Sequence, residues 1–195
     1  QFTAEDRIAS LRHEVAERLW DLAQQAEAGS DQQLQFVMAF AAQARGDQLD
    51  PVQALYAGDL DRVPGLDLTT DLKWELLTSL VAGGRADETQ IDTALSKDDT
   101  ATGALAAAKA RAALPTPEAK QRAWDQIVAG ELSNSTQRSV VLGFNRVHDQ
   151  ALLHPYVEAY FDQIDQLWAS RSHEMAETAA VGLFPGWSVT AETVR

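Results

Sequence analysis

The stretch SHEMAE, Ser172 to Glu177, falls one residue short of a zinc metalloprotease signature. In H-E-x-x-H on a helix, two histidines four apart face the same way and hold Zn²⁺, and the intervening glutamate activates water. Here the fifth position is Glu177, so a helix would offer His173 and Glu177 as two ligands on one face, with Glu174 where the base would stand. A hydrolytic zinc site needs a third protein ligand and an open position, and no third ligand is identifiable. The same pattern recurs in RHEVAE, at His13, Glu14 and Glu17. Amphipathic helices rich in Glu and Ala generate such spacings, so both are read as solvated or interface His/Glu pairs.

The other chemically capable residues are explained by helix termini and packing. His148 and His154 flank a helix boundary, His154 directly before Pro155, and suit C-terminal and capping positions. Trp20, Trp74, Trp124, Trp168 and Trp187 fall mostly on apolar rows and are read as core anchors, with Trp74, Trp124 and Trp168 expected to be buried. Asn134-Ser135-Thr136 fits a glycosylation acceptor, and a helix start explains the same residues. There is no Gly-rich phosphate loop, no G-x-S-x-G elbow and no basic aromatic stripe. No catalytic, cofactor-binding or metal-ligating residue is therefore assigned.

Composition narrows the function classes further. The 195 residues are 45% apolar and 23% charged, enough to bury a substantial core. A net charge of −13 repels phosphate backbones and anionic lipid, which argues against nucleic-acid and membrane partners. The absence of cysteine excludes disulfides and thiolate zinc sites and fits a cytoplasmic location. No stretch approaches the roughly 20 apolar residues that span a bilayer. The first residue is Gln1, which, unless processing removed residues, leads to the expectation of a fragment whose partner sequence lies upstream.

The elements that must carry these residues are helical almost throughout. Thr3 is a plausible N-cap, and Ile8, Leu11, Val15 and Leu22 mark one face of a long helix ending near Gly29. Asp31 is expected to cap the next helix, with Leu34, Val37, Met38 and Ala41 inward; Asp50 and Pro51 then open a short one. GDLDRVPGLDL, Gly58 to Leu68, lacks any helical period and is read as the longest connection. TTDLKWELLTSLVAGG places Leu72, Leu76 and Leu80 in one row and Trp74, Leu77 and Val81 in the next, which predicts a helix buried on two sides. Asp87, the run beginning DDTATG, Thr116 with Pro117, and Asn134 or Ser135 mark further helix starts. Alanines in DDTATGALAAAKARAAL would admit a close backbone neighbour. Tyr156, Val157, Tyr160, Phe161, Ile164, Leu167 and Trp168 repeat at helical spacing, and a last helix spans roughly Arg171 to Leu183.

Helices of this length with short connections predict an all-α chain, residues 1–195 forming one domain, with the hairpin rhythm of an α-superhelix or solenoid of HEAT-like antiparallel helix pairs. LKWELLTSLVAGGRA, DDTATG, AKARAALPTPEAKQRAW and LLHPYVEAYFDQIDQLWASRSHE together resemble the C-terminal helical domain of aminopeptidase N, zinc metallopeptidases of the gluzincin group, in their actinobacterial form. The resemblance covers roughly Phe2 to Pro185 and lies in packing and capping residues. The family's H-E-x-x-H with a distant third ligand Glu, and its G-x-M-E-N loop, do not occur here, and the family's zinc helix belongs to a preceding domain. The resemblance thus implies a non-catalytic domain without a cofactor of its own, zinc being held by the parent's catalytic domain. It implies as partners that catalytic domain and peptide substrates, which the superhelix would enclose and filter. The contrasting reading is a free-standing α-solenoid that binds a protein or peptide, its acidic surface favouring basic ligands. A purely structural helical bundle, with no concave ligand surface, is the third.

Overall fold

A computed structural model describes residues 5–188 of the chain, Glu5 and Asp6 through their backbone only. Thr3, the expected first N-cap, lies outside the described residues. Among those described, every regular element is helical. The chain divides into two compact units, one running through Ala86 and the other beginning at Asp87.

The first unit holds α1 (Glu5–Gln25), α2 (Asp31–Gln43), α3 (Leu49–Ala57) and α4 (Thr70–Ala82). Ser30, one residue before the expected Asp31, caps α2 by accepting the Gln33 amide at 3.1 Å. A 3-10 turn at Gly46–Gln48 leads directly into α3, which therefore starts at Leu49, ahead of the expected Asp50 cap. Thr69 caps α4 at the Leu72 amide, and both of its predicted rows are buried, Leu72, Leu76 and Leu80 on one and Trp74, Leu77 and Val81 on the other. α2 and α3 both pack on this helix. Each such side chain contributes about 1.5–3 kcal/mol by leaving water.

The inward face of α1 is not the expected one. Leu11 and Val15 are exposed, and Ala16, Trp20 and Ala23 are buried instead. Trp20 stacks on Phe40 of α2 at 4.8 Å, and the small residues a turn away on each side let the helices close around that pair. On α2, Gln33 and Phe40 join Val37 and Ala41 in the interior, while Leu34 and Met38 are half-buried. The expected irregular connection runs from Gly58 to Thr69. Gln33 pins it: its amide nitrogen reaches the carbonyls of Ala23 at 3.4 Å and Pro64 at 3.5 Å, while its oxygen accepts the Gly29 amide at 2.9 Å. Gly29 and Gly65, both at positive φ, cross so closely that a Cβ on Gly29 would stand 2.9 Å from the Gly65 carbonyl oxygen.

The second unit holds α5 (Glu88–Lys97), α6 (Ala101–Ala113), α7 (Pro117–Ala129), α8 (Asn134–Phe144), a 3-10 turn (Gln150–Leu153), α9 (Pro155–Ser170) and α10 (His173–Leu183). Asp87 and Thr116 cap α5 and α7 as expected, and Thr100, inside the expected DDTATG start, caps α6, each accepting an amide three residues on. Ser133 rather than Asn134 or Ser135 caps α8. The core gathers Trp124, Phe144 and Tyr156, whose rings lie 5.0–6.0 Å apart, over Ile127, Val140, Val141 and Leu183. The alanine-rich α6 does meet a close neighbour: a Cβ on Gly143 of α8 would run into the Lys109 carbonyl.

Trp168 corrects an expectation. It is 48% exposed, and so is the neighbouring row residue Phe161 at 49%. α9 buries Tyr156, Tyr160 and Leu167 and packs mainly against α10, so among the described residues only one of its two apolar rows is covered. No helix among the described residues is long and apolar enough to cross a membrane.

Candidate functional site

The SHEMAE segment sits where α9 turns into α10. Ser172 is extended, and α10 begins at His173, two residues after the expected Arg171. His173 and Glu177 are both exposed, and the imidazole meets the Trp168 ring edge-on with centroids 5.5 Å apart. Glu174, in the place of a catalytic base, is held by α8: the Asn134 side-chain amide donates to it at 2.8 Å and the Arg138 guanidinium at 3.2 Å. Its carboxylate ties α10 to the first turn of α8. Among the described residues no three His, Asp or Glu side chains are grouped so as to hold a metal ion. With one imidazole packed on an indole and the flanking carboxylate engaged by two donors, these residues do not fit a zinc ion.

The remaining sequence candidates lie apart from one another. His13 pairs with Glu17 along the exposed side of α1 at 3.3 Å. His154 stacks on Trp187 with centroids 5.4 Å apart, at the start of α9. Asn134 spends its amide on Glu174, and the Asn134-Ser135-Thr136 run is the first turn of α8.

Two polar side chains, Lys120 and Gln137, are interior, and a third, that of Arg171, is half-buried. Lys120, in the first turn of α7, is 0% exposed; its ammonium donates to Ala112 at 2.6 Å, Phe144 at 3.1 Å and Gly143 at 3.4 Å. Those carbonyls end α6 and α8, so one cation serves the negative ends of two helices. Burial pushes this ammonium down to about 7, the cost of desolvation outweighing the helix-end carbonyls. Its position four residues before Trp124 and seven before Ile127, on the apolar row, was the signal available in the sequence.

Gln137 and Arg171 form the second interior link. Arg171 donates to the Val128 carbonyl near the end of α7 and to the Gln137 oxygen at 3.2 Å; Gln137, 0% exposed, donates onward to the Met175 carbonyl at 2.8 Å. Burial lowers the Arg171 pKa. Gly130, at positive φ after α7, leaves the space the guanidinium occupies. This chain of donors fixes α7, α8 and the α9–α10 turn against one another.

Beside it, Asp125, Gln126, Ala129, Glu131 and Leu132 line an open groove of about 500 Å³ along the end of α7. Its walls can hydrogen-bond and attract cations, and they pair no nucleophile with a base. The polar residues of this unit position helices and present surfaces.

A family model described as the ERAP1-like C-terminal domain matches residues 2–195. The chain belongs to that family. The ERAP1-like domain is also similar to Aminopeptidase N of Streptomyces lividans, 44% identical over 171 residues that make up 87% of this chain and 20% of that protein. It thus spans about a fifth of the length of that relative. The resemblance read from the helix-capping and packing strings after Asp71 holds, and the all-α expectation holds with it.

Proposed function

We propose that this ERAP1-like domain is the non-catalytic C-terminal part of a zinc aminopeptidase, closing over the catalytic part of the same polypeptide and gating or positioning peptide substrates. The observation that carries the proposal is the family match over the whole chain, together with the similarity to Aminopeptidase N. The helices would continue as HEAT-like antiparallel pairs in a superhelix, whose inner helices offer a long concave wall. The two-sided burial of α4 supports that arrangement, since a helix sandwiched between neighbours is the repeating unit of such a fold.

Zinc belongs, in this reading, to the catalytic part. No group of the described residues fits the ion, and no step of peptide hydrolysis is assigned to them. Their contribution is contact with the portion of the peptide remote from the scissile bond, which acts on KM and on discrimination by length. The test pairs two assays: the 195-residue chain with an aminoacyl amide should show no turnover, and the polypeptide that carries it should cleave amino-terminal residues with one zinc per chain. A carrying polypeptide without aminopeptidase activity would replace this reading with that of a separate binding module.

A further inference from the structure

We infer that the outward face of α9 docks onto a cationic surface elsewhere in the same polypeptide. Phe161 and Trp168 stand seven residues apart, two helical turns and roughly 10 Å along one face, each about half exposed. Glu158 and Asp165 lie one turn from Phe161 on either side, with Asp162 beside it, and all three are exposed. None of the three carboxylates has a hydrogen-bond or ion-pair partner among the described residues. Beneath this face the buried ring of Tyr160 meets both Phe161 and the half-exposed Phe184 edge-on, so the two exposed rings rest on one support. Large aromatics ringed by charge form the pattern of an interface centre with a polar rim.

Charge selects the occupant. A second copy would bring a chain of net charge −13 and the same three carboxylates against this face, and like charges brought together oppose pairing. Lysine and arginine side chains satisfy both components, pairing with the carboxylates and lying over the faces of Phe161 and Trp168. The source is the remainder of the polypeptide, because the domain accounts for only 20% of the related Aminopeptidase N. This step rests on the reading of the chain as part of a longer enzyme, and it adds which face is covered and by what chemistry.

Hydroxyl-radical footprinting tests it, with Phe161 and Trp168 oxidation read by mass spectrometry in the full polypeptide and in the 195-residue chain. We expect labelling of both rings to be at least about threefold slower in the full polypeptide, in keeping with burial at an interface centre. A carbodiimide should link Glu158, Asp162 or Asp165 to lysines outside these residues. The combined variant Glu158→Gln, Asp162→Asn, Asp165→Asn changes only exposed side chains. It should restore labelling in the full polypeptide without changing helicity, as should raised salt. Equal labelling in the two proteins, cross-links confined to pairs of identical chains, or labelling indifferent to the neutral variant would each overturn the proposal. Protection of the rings with an unchanged dependence on peptide length would retain this docking while removing the gating role, so the two failures are distinct.

Discussion

Lys120 Nζ lies 2.6 Å from the carbonyl oxygen of Ala112, linking the first turn of α7 to the last turn of α6. With the carbonyls of Gly143 and Phe144 completing its three acceptors, the ammonium replaces water at two helix ends that the core has enclosed. Removing it strands those carbonyls and leaves a void. Lys120→Ala should therefore cost about 3 kcal/mol or more in urea unfolding.

The same residue sets a pH dependence. Its pKa is about 7 in the folded chain against an ordinary 10.5, so between these values the unfolded chain holds a proton that the folded chain has released. Stability then rises with pH across that window and is least favoured below it, where the charge must stay buried. The stability of the wild type minus that of Lys120→Met should climb from pH 7 towards pH 10. A flat difference would contradict the desolvated ammonium.

Gly143→Ala would place a methyl group against the Lys109 carbonyl and the Ala112 side chain. Alanine improves helix propensity by about 1 kcal/mol, but the obstacle is backbone, and α6 and α8 must separate to admit it. We expect a net loss of about 2 kcal/mol, a fall in Tm of roughly 4–8 °C by calorimetry.

Arg171→Ala and Gln137→Leu remove one hydrogen bond from its two sides. Because Arg171 also reaches Val128 and Gln137 also reaches Met175, each single variant should cost more than the shared bond. A double-mutant cycle should give a coupling of about 1–2 kcal/mol, and strict additivity would show that the two side chains act separately.

Zinc should not bind stoichiometrically to the chain, and a chelator should leave its Tm unchanged, because His173 and Glu177 lack a third ligand among the described residues. Calorimetric titration giving tight one-to-one zinc would restore SHEMAE as a metal site.

What was legible in the sequence follows from how local each feature is. The caps at Asp87 and Thr116 and the double burial of α4 could be read because a cap bonds three residues away and two apolar rows require two covers. Trp168 and Phe161 share the helical period of Tyr160 and Leu167, yet which row faces a neighbour depends on what packs beside α9. The Ala16, Trp20 and Ala23 face of α1 was hidden for a related reason: tight stacking of Trp20 on Phe40 outweighs the longer aliphatic row. Lys120 and Gln137 are interior and Arg171 half-buried because carbonyls from other helices await them, a tertiary circumstance with only a faint trace in residue spacing. The zinc-like spacing in SHEMAE is that of an ordinary amphipathic helix, and what the spacing could not show is that Glu174 ties α10 to Asn134 and Arg138.

The gating role is tested most directly by kcat/KM for a single-residue chromogenic substrate and for peptides of increasing length, measured in the full polypeptide and in one lacking this domain. We expect the truncated enzyme to keep its zinc, show a raised KM and lose discrimination by length, as the loss of contacts to the remote part of the peptide would produce. An unchanged length profile in a folded truncation would contradict it.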